Sequence, residues 1–169
     1  MALRVGLALG SNLGNRLNNI KVARNMLRGI VDPESLYLQA PIYQSQPVDC
    51  ASDDPDFYNT VIEIDYIGEP YDLLRMTQGV EFHMGREAVH AYNAPRVIDV
   101  DILYFGSGVI KEEILTIPHP RILERRFVLQ PLNDIRPHLI LPGDTVTISE
   151  HYEHLDSDEP PLTLVQSVW

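Results

Sequence analysis

Asn93-Ala94-Pro95-Arg96-Val97-Ile98-Asp99-Val100-Asp101-Ile102-Leu103-Tyr104-Phe105-Gly106 is the stretch on which the fold turns. Val97 to Phe105 is strongly apolar and too short for a buried helix, and Gly106 closes it, so it predicts a strand interrupted by two aspartates. On a strand Asp99 and Asp101 face the same way, with Cα atoms about 6.5 to 7 Å apart. Burying carboxylates among Val, Ile and Leu without compensation costs several kcal/mol, roughly. A hard divalent cation is the natural compensation, because magnesium takes one or two carboxylates and completes its shell with water and phosphate oxygens. Pro95-Arg96, just before, adds a rigid turn and a guanidinium fork suited to phosphate. The bare Asp-x-Asp also suits the wet side of a half-exposed strand; the adjoining Arg96 favours the metal and anion reading.

Outward from this strand the chain alternates helix and strand patterns. Leu3 to Leu9 predicts a first strand that ends in a turn at Gly10, and Leu17, Ile20, Ala23, Leu27 and Ile30 keep helical spacing behind a cap at Asn15. Leu36, Leu38, Ala40 and Ile42 predict one strand, and Tyr58, Thr60, Ile62, Ile64 and Tyr66 another, with a turn-rich surface loop from Gln46 to Asp56 between them. Pro70 opens a helix with Leu73, Met76, Val80 and Met84 on one face, and Arg86 to Pro95 is a connecting loop. Gly106-Ser107-Gly108 predicts a hairpin returning through Val109 and Ile110, and Arg125 to Ile135 a helix disturbed by Pro131; the tail from Pro142 is mixed. This order predicts an α+β fold with a mainly antiparallel sheet and helices packed on it.

With 169 residues and 44% hydrophobic content, a single domain over residues 1–169 is expected. A net charge of −11 with only 13 basic residues argues against a nucleic-acid binder. All but Lys21 and Lys111 of those basic residues are arginines, with a run between Arg121 and Arg126; arginine forks suit phosphate, though surface ion pairing is their ordinary use. The lone Cys50 and the short apolar start point to a reducing cytoplasm and no membrane span.

Several motifs together carry a resemblance. Pro95-Arg96-x-x-Asp99-x-Asp101, Ala8-Leu9-Gly10-Ser11-Asn12-Leu13-Gly14, Phe57-Tyr58-Asn59, Ile117-Pro118-His119 and Arg125-Arg126-Phe127 resemble, in order, the 6-hydroxymethyl-7,8-dihydropterin pyrophosphokinase family. The resemblance implies a ferredoxin-like core in three α/β/α layers. It also implies transfer of pyrophosphate from MgATP to the hydroxymethyl group of the reduced pterin, with AMP released, in folate synthesis. Asp99 and Asp101 would hold two magnesium ions; Arg86, Arg96, His119 and Arg125 would meet ATP phosphates; Gln78 and Glu81 would stand near the site on one helix face. Ile102, Leu115 and Thr116 would form the adenine side. Ser45, Pro47, Val48 and Asn59 would line the pterin pocket, with Phe127 stacked on the ring. The partners implied are these small molecules alone, and the expected state is a monomer.

The chain departs from the family's usual pattern in the loop before the signature, where Ala88, Val89 and Tyr92 replace basic residues and Asn93 stands where many members have tryptophan. Gln46 and Phe57 replace an expected proline and tyrosine. Alone, Asn59 also suits a turn, Phe127 a core and His119 a structural role. Two rivals stay open: a pyrophosphokinase for another hydroxymethyl heterocycle, and a pterin- or nucleotide-binding module without turnover.

Overall fold

The computed structural model describes residues 1–46, 55–85 and 95–169. β1 (Leu3–Ser11) runs into α1 (Arg16–Arg28), whose first turn is capped by the Asn15 side chain accepting from the Asn18 N–H at 3.1 Å. Next come β2 (Tyr37–Gln39), β3 (Ile42–Ser45), β4 (Phe57–Tyr66), α2 (Pro70–His83) and β5 (Asp99–Phe105). The remainder is β6 (Ile110–Lys111), β7 (Thr116–Ile117), α3 (Arg126–Ile135), α4 (Ile148–Glu153) and β8 (Thr163–Gln166).

The main sheet has the order β5-β1-β4-β3-β8, with β2 also on β4, and every pairing is antiparallel. Two strand-helix-strand units thus interleave their strands, which is the ferredoxin-like arrangement the resemblance implies. Val5, Leu7 and Leu9 of β1 turn to one face and join Ile20, Ala23 and Leu27 of α1 and Leu73 and Val80 of α2 in one core. The opposite face carries Val61 and Leu103 under Val128, Leu129 and Leu132 of α3 and Ile148 of α4. These are the three layers. Each fully buried Leu or Ile contributes roughly 1.5–3 kcal/mol, so period-two burial on both faces of β1 and β4 is enough to set their register.

Several expectations are corrected. The single strand over residues 36–42 is two, β2 and β3: Tyr37 and Ile42 both enter the core under α1 and α2, so the alternation changes phase between them, at Ala40-Pro41. Pro41 has no N–H, and the carbonyls of both residues accept instead from the Thr60 hydroxyl at 3.1 and 3.0 Å. Met76 of α2 is exposed, and Thr77 and Glu81 are buried in the inward stripe with Leu73 and Val80. The turn at Gly106 to Gly108 does not fold back onto β5; Ile110–Lys111 pairs with Thr116–Ile117 in a separate ribbon. α3 continues through the buried Pro131 to Ile135. The mixed tail holds α4, capped by Thr147, and β8.

β5 carries a bulge that matters for what lies on it. Gly6 faces Tyr104 and Leu7 faces Ile102, so Leu103 is the extra residue, and Leu103 and Tyr104 both enter the α3-side core. Gly6 makes this possible, since a Cβ there would stand 2.3 Å from the Tyr104 ring.

Candidate active site

Asp99 and Asp101 pair with Gly10 and Ala8 of β1, on the α3 side of the sheet, and β5 is an edge strand. Together with Ala8, Leu9 and Gly10 they form the floor of a cleft. One wall is Ser45, Gln46, Phe57 and Asn59, from β3, β4 and the residues beside them; the other is Arg121, Arg125, Phe127 and Val128, from the approach to α3 and its first turn. A helix N-terminus carries partial positive charge, so that wall favours anions twice over. Arg96 stands beside the aspartates and reaches Asp99 Oδ2 through an N–H at 2.6 Å. Its buried Nε has no hydrogen-bond acceptor among the described residues.

Asn12 holds Arg96 in place. This fully buried residue at the end of β1 accepts from the Arg96 N–H through Oδ1 at 2.7 Å, and its own N–H donates to the Arg96 carbonyl at 3.0 Å. Across the cleft, Asn59 donates from Nδ2 to Ser45 Oγ at 2.7 Å. Asn59 Oδ1 lies over Gly10, 3.1 Å from where a Cβ would be, so a side chain there would crowd the floor. The Arg125 guanidinium lies 5.5 Å from the centre of the Phe127 ring, which joins the cationic wall to an aromatic one.

His119 follows the cis Ile117-Pro118 bond, and its N–H donates to the Leu103 carbonyl at 2.7 Å. Burial holds its pKa below the ordinary 6.5, and Arg125 and Arg121 push the same way, while Asp99 opposes them. The neutral ring accepts at Nδ1 from the Arg121 N–H at 3.2 Å, which leaves Nε2 to carry the proton.

Seven of the residues singled out from the sequence meet in this cleft: Ser45, Asn59, Arg96, Asp99, Asp101, Arg125 and Phe127. Six others stand outside its lining. Ile102 and Leu115 are buried in the core on the α1 and α2 side, Thr116 is half-buried on β7 with its hydroxyl donating to the Glu112 carbonyl, and His119 sits behind the arginines. On α2, Gln78 is exposed and Glu81 is buried, beside β5. Pro47, Val48 and Arg86 lie outside the described residues. Sequence reasoning missed the anchoring by Asn12, although the residue stood in a quoted motif. It noticed Arg121 only as part of an arginine run, and it missed Glu159, which lines the cleft from a tail without periodicity.

The model of the 7,8-dihydro-6-hydroxymethylpterin-pyrophosphokinase family matches residues 6–137, which include the floor, both walls and the aspartate pair. The chain belongs to this family. Among its relatives, the 2-amino-4-hydroxy-6-hydroxymethyldihydropteridine pyrophosphokinase of Pseudomonas aeruginosa is 38% identical over 143 residues, covering 84% of this chain and 86% of that protein. The folic acid synthesis protein fol1 of Pneumocystis carinii is 38% identical over 161 residues, covering 94% of this chain. The mitochondrial folate synthesis bifunctional protein of Pisum sativum is 41% identical over 135 residues. This pyrophosphokinase-family chain spans only 21% and 25% of those two longer relatives. Solved structures agree on the fold: wild-type Plasmodium falciparum HPPK-DHPS with pteroate has a TM-score of 0.69 at 16% identity, over 90% of this chain and 42% of that one. Among the described residues, no helix is long and apolar enough to cross a membrane.

The donor set fits magnesium. Two carboxylates on one strand face are hard oxygen ligands, and no third acidic, His or Cys residue joins them among the described residues. That matches an ion whose other ligands are water and phosphate oxygens better than a closed protein cage.

Proposed function

We propose that this chain transfers pyrophosphate from MgATP to the hydroxymethyl oxygen of 6-hydroxymethyl-7,8-dihydropterin, releasing AMP, as a step of folate biosynthesis. The observation that carries the proposal is one cleft that brings a carboxylate pair and three arginines together with an Asn-Ser pair and the rings of Phe57 and Phe127. In the reaction the hydroxymethyl oxygen attacks the β-phosphorus, the bond from that phosphorus to the α-bridging oxygen breaks, and AMP leaves with that electron pair. Such transfer is dominated by positioning and charge neutralisation.

Asp99 and Asp101 would hold Mg2+, as two ions, to neutralise phosphate charge. Arg96 and Arg125 would grip phosphate oxygens, with His119 behind them and Arg86 contributing from the loop before the signature. Ile102, Leu115 and Thr116 would take the adenine, with Gln78 and Glu81 nearby. Ser45 and Asn59 would hold the pterin edge, joined by Pro47 and Val48, and Phe127 would cover its face. Residues 1–169 would act as one monomeric pyrophosphokinase unit, and the lone Cys50 favours a reducing, cytoplasmic setting.

Incubation with magnesium, ATP and the reduced hydroxymethyl pterin tests the proposal. AMP and the pterin diphosphate are the expected products. ADP as the sole nucleotide product would overturn pyrophosphoryl transfer, and pterin binding without turnover would leave a binding module.

A further inference from the structure

The segment between α4 and β8 delivers a carboxylate to the pterin end of the cleft. It leaves the α3 and α4 layer, where Tyr152 and Leu155 pack, and reaches the sheet beside β3, where Thr163 pairs with Gln44. Crossing between those layers, it passes the end of β3, where Ser45 and Gln46 line the cleft. The Glu159 N–H donates to Ser157 Oγ at 3.2 Å, and Pro160-Pro161 follows with restricted backbone angles. Glu159 thereby joins Ser45, Asn59 and Phe127 in lining the cleft.

No cluster of three potential metal ligands exists among the described residues, so Glu159 does not complete a cage with Asp99 and Asp101. Nor does its carboxylate form an ion pair with Arg121 or Arg125.

Hydrogen-bond polarity identifies what this end accepts. One of the two Asn59 Nδ2 hydrogens is used on Ser45 Oγ, Asn59 offers the acceptor Oδ1 over Gly10, and the Ser45 hydroxyl hydrogen is left to donate. Glu159 adds an ionised group that only accepts. The pyrimidine edge of a 2-amino-4-oxo heterocycle presents one carbonyl acceptor and then two donors, the ring N–H and the exocyclic amine. One hydroxyl donor, one amide acceptor and one carboxylate acceptor complement that edge group by group.

We propose that Glu159 is a specificity-determining residue that accepts from the 2-amino group of the heterocycle, so that the C-terminal segment selects 2-amino pterins over 2-oxo analogues. The inference rests on the pterin reading above and goes beyond it by bringing a tail residue into the substrate pocket. With a 2-oxo ring the carboxylate would face an acceptor and lose its partner, and sites built on such polar matching reject the mismatched analogue strongly.

Calorimetric titration with 6-hydroxymethylpterin and with its 2-oxo analogue tests this in the wild type, Glu159→Ala and Glu159→Gln, with MgATP titrated separately. The alanine variant is expected to lose roughly ten- to a hundredfold in affinity for the 2-amino ligand, the scale of a hydrogen bond to a charged group. Affinity for the 2-oxo analogue should stay level or rise, and MgATP binding should stay unchanged. Glu159→Gln keeps one carbonyl acceptor in the same volume, so it should lose less, and it carries the test if the alanine variant melts below the wild type. Equal losses for both heterocycles, no loss, or tighter 2-amino binding on removal of the side chain would each overturn the inference while leaving the pterin reading intact. A wild type that binds neither heterocycle would overturn both.

Discussion

Asn12 and Arg96 exchange two hydrogen bonds, side-chain oxygen to N–H at 2.7 Å and N–H to carbonyl at 3.0 Å, across the gap between the end of β1 and the approach to β5. Asn12 also donates from Nδ2 to the Pro55 carbonyl at 3.3 Å, so one fully buried side chain ties together the entries to β4 and β5. Asn12→Ala leaves the Arg96 N–H without its acceptor, at a cost of roughly 1–3 kcal/mol. Denaturant titration should show that loss. The MgATP affinity of the folded variant should fall as well, because Arg96 loses the anchor that aims it. A variant less stable but unaltered in MgATP binding would make Asn12 a purely structural residue.

The ion pair between Arg96 and Asp99 changes what neutralising each aspartate should do. Either Asp99→Asn or Asp101→Asn is expected to lower pyrophosphoryl transfer at least about a hundredfold, the scale of losing a principal electrostatic element. Asp99→Asn gives up a partly exposed pair with Arg96 worth no more than about 1 kcal/mol, so its metal-free melting temperature should fall only slightly. Steady-state assays and metal-free melting curves check both halves; activity near wild type in the two variants would make the carboxylates bystanders.

Most of the architecture was legible because burial imposes a period on β1, α1, β4 and β5, and the aspartate pair stood out because it broke such a period. What escaped was set by tertiary contacts. The phase change at Ala40-Pro41 depends on the Thr60 hydroxyl, nineteen and twenty residues away. β8 is an edge strand of four residues, two of them exposed, so it carries no stripe. α4 went unread in the mixed tail although its start is marked in Thr147-x-x-Glu150, where the Glu150 N–H donates to Thr147 Oγ1 at 3.2 Å. In the site, the paired roles of Asn12 and Asn59 and the arrival of Glu159 follow from which strand ends meet, which spacing along the chain does not reveal.

His119 supplies a pH signature. Burial, helped by Arg125 and Arg121, lowers its pKa below 6.5 in the folded state, so the unfolded chain takes up a proton that the folded chain refuses. This contribution to stability is therefore complete above about pH 6.5, falls as pH drops below that value, and levels off once the folded ring is also protonated. His119→Gln removes the titration. Melting temperatures from pH 7.5 down to 5 should decline less steeply in the variant than in the wild type; parallel curves would mean that the ring takes up its proton as readily folded as unfolded.

Glu63 gives the strongest expectation for stability. It is fully buried in the middle of β4, yet it bonds Arg4 from β1, Arg136 from the end of α3 and the hydroxyl of Tyr104 from β5. One carboxylate thus ties β1 and, beyond it, β5 to the end of α3. Burial and the Glu63 charge raise the Tyr104 pKa, which keeps that hydroxyl protonated and donating at any working pH. Removing the buried central partner of such a cluster costs up to about 3–5 kcal/mol, because the Tyr104 hydroxyl stays buried without it and two half-buried guanidinium groups lose their counter-charge. Glu63→Ala should incur a loss on that scale in denaturant titration. Glu63→Gln fills the same space and still accepts one hydrogen bond, but it leaves two guanidinium groups facing a neutral amide, so it should recover only part of the loss. The double change Glu63→Gln with Arg136→Gln tests whether charge is the cause: it should be less damaging than the sum of its parts, by about 1 kcal/mol or more, since contacting charges couple. Strict additivity would place the stabilisation in packing alone, around the Tyr104 ring over Gly6.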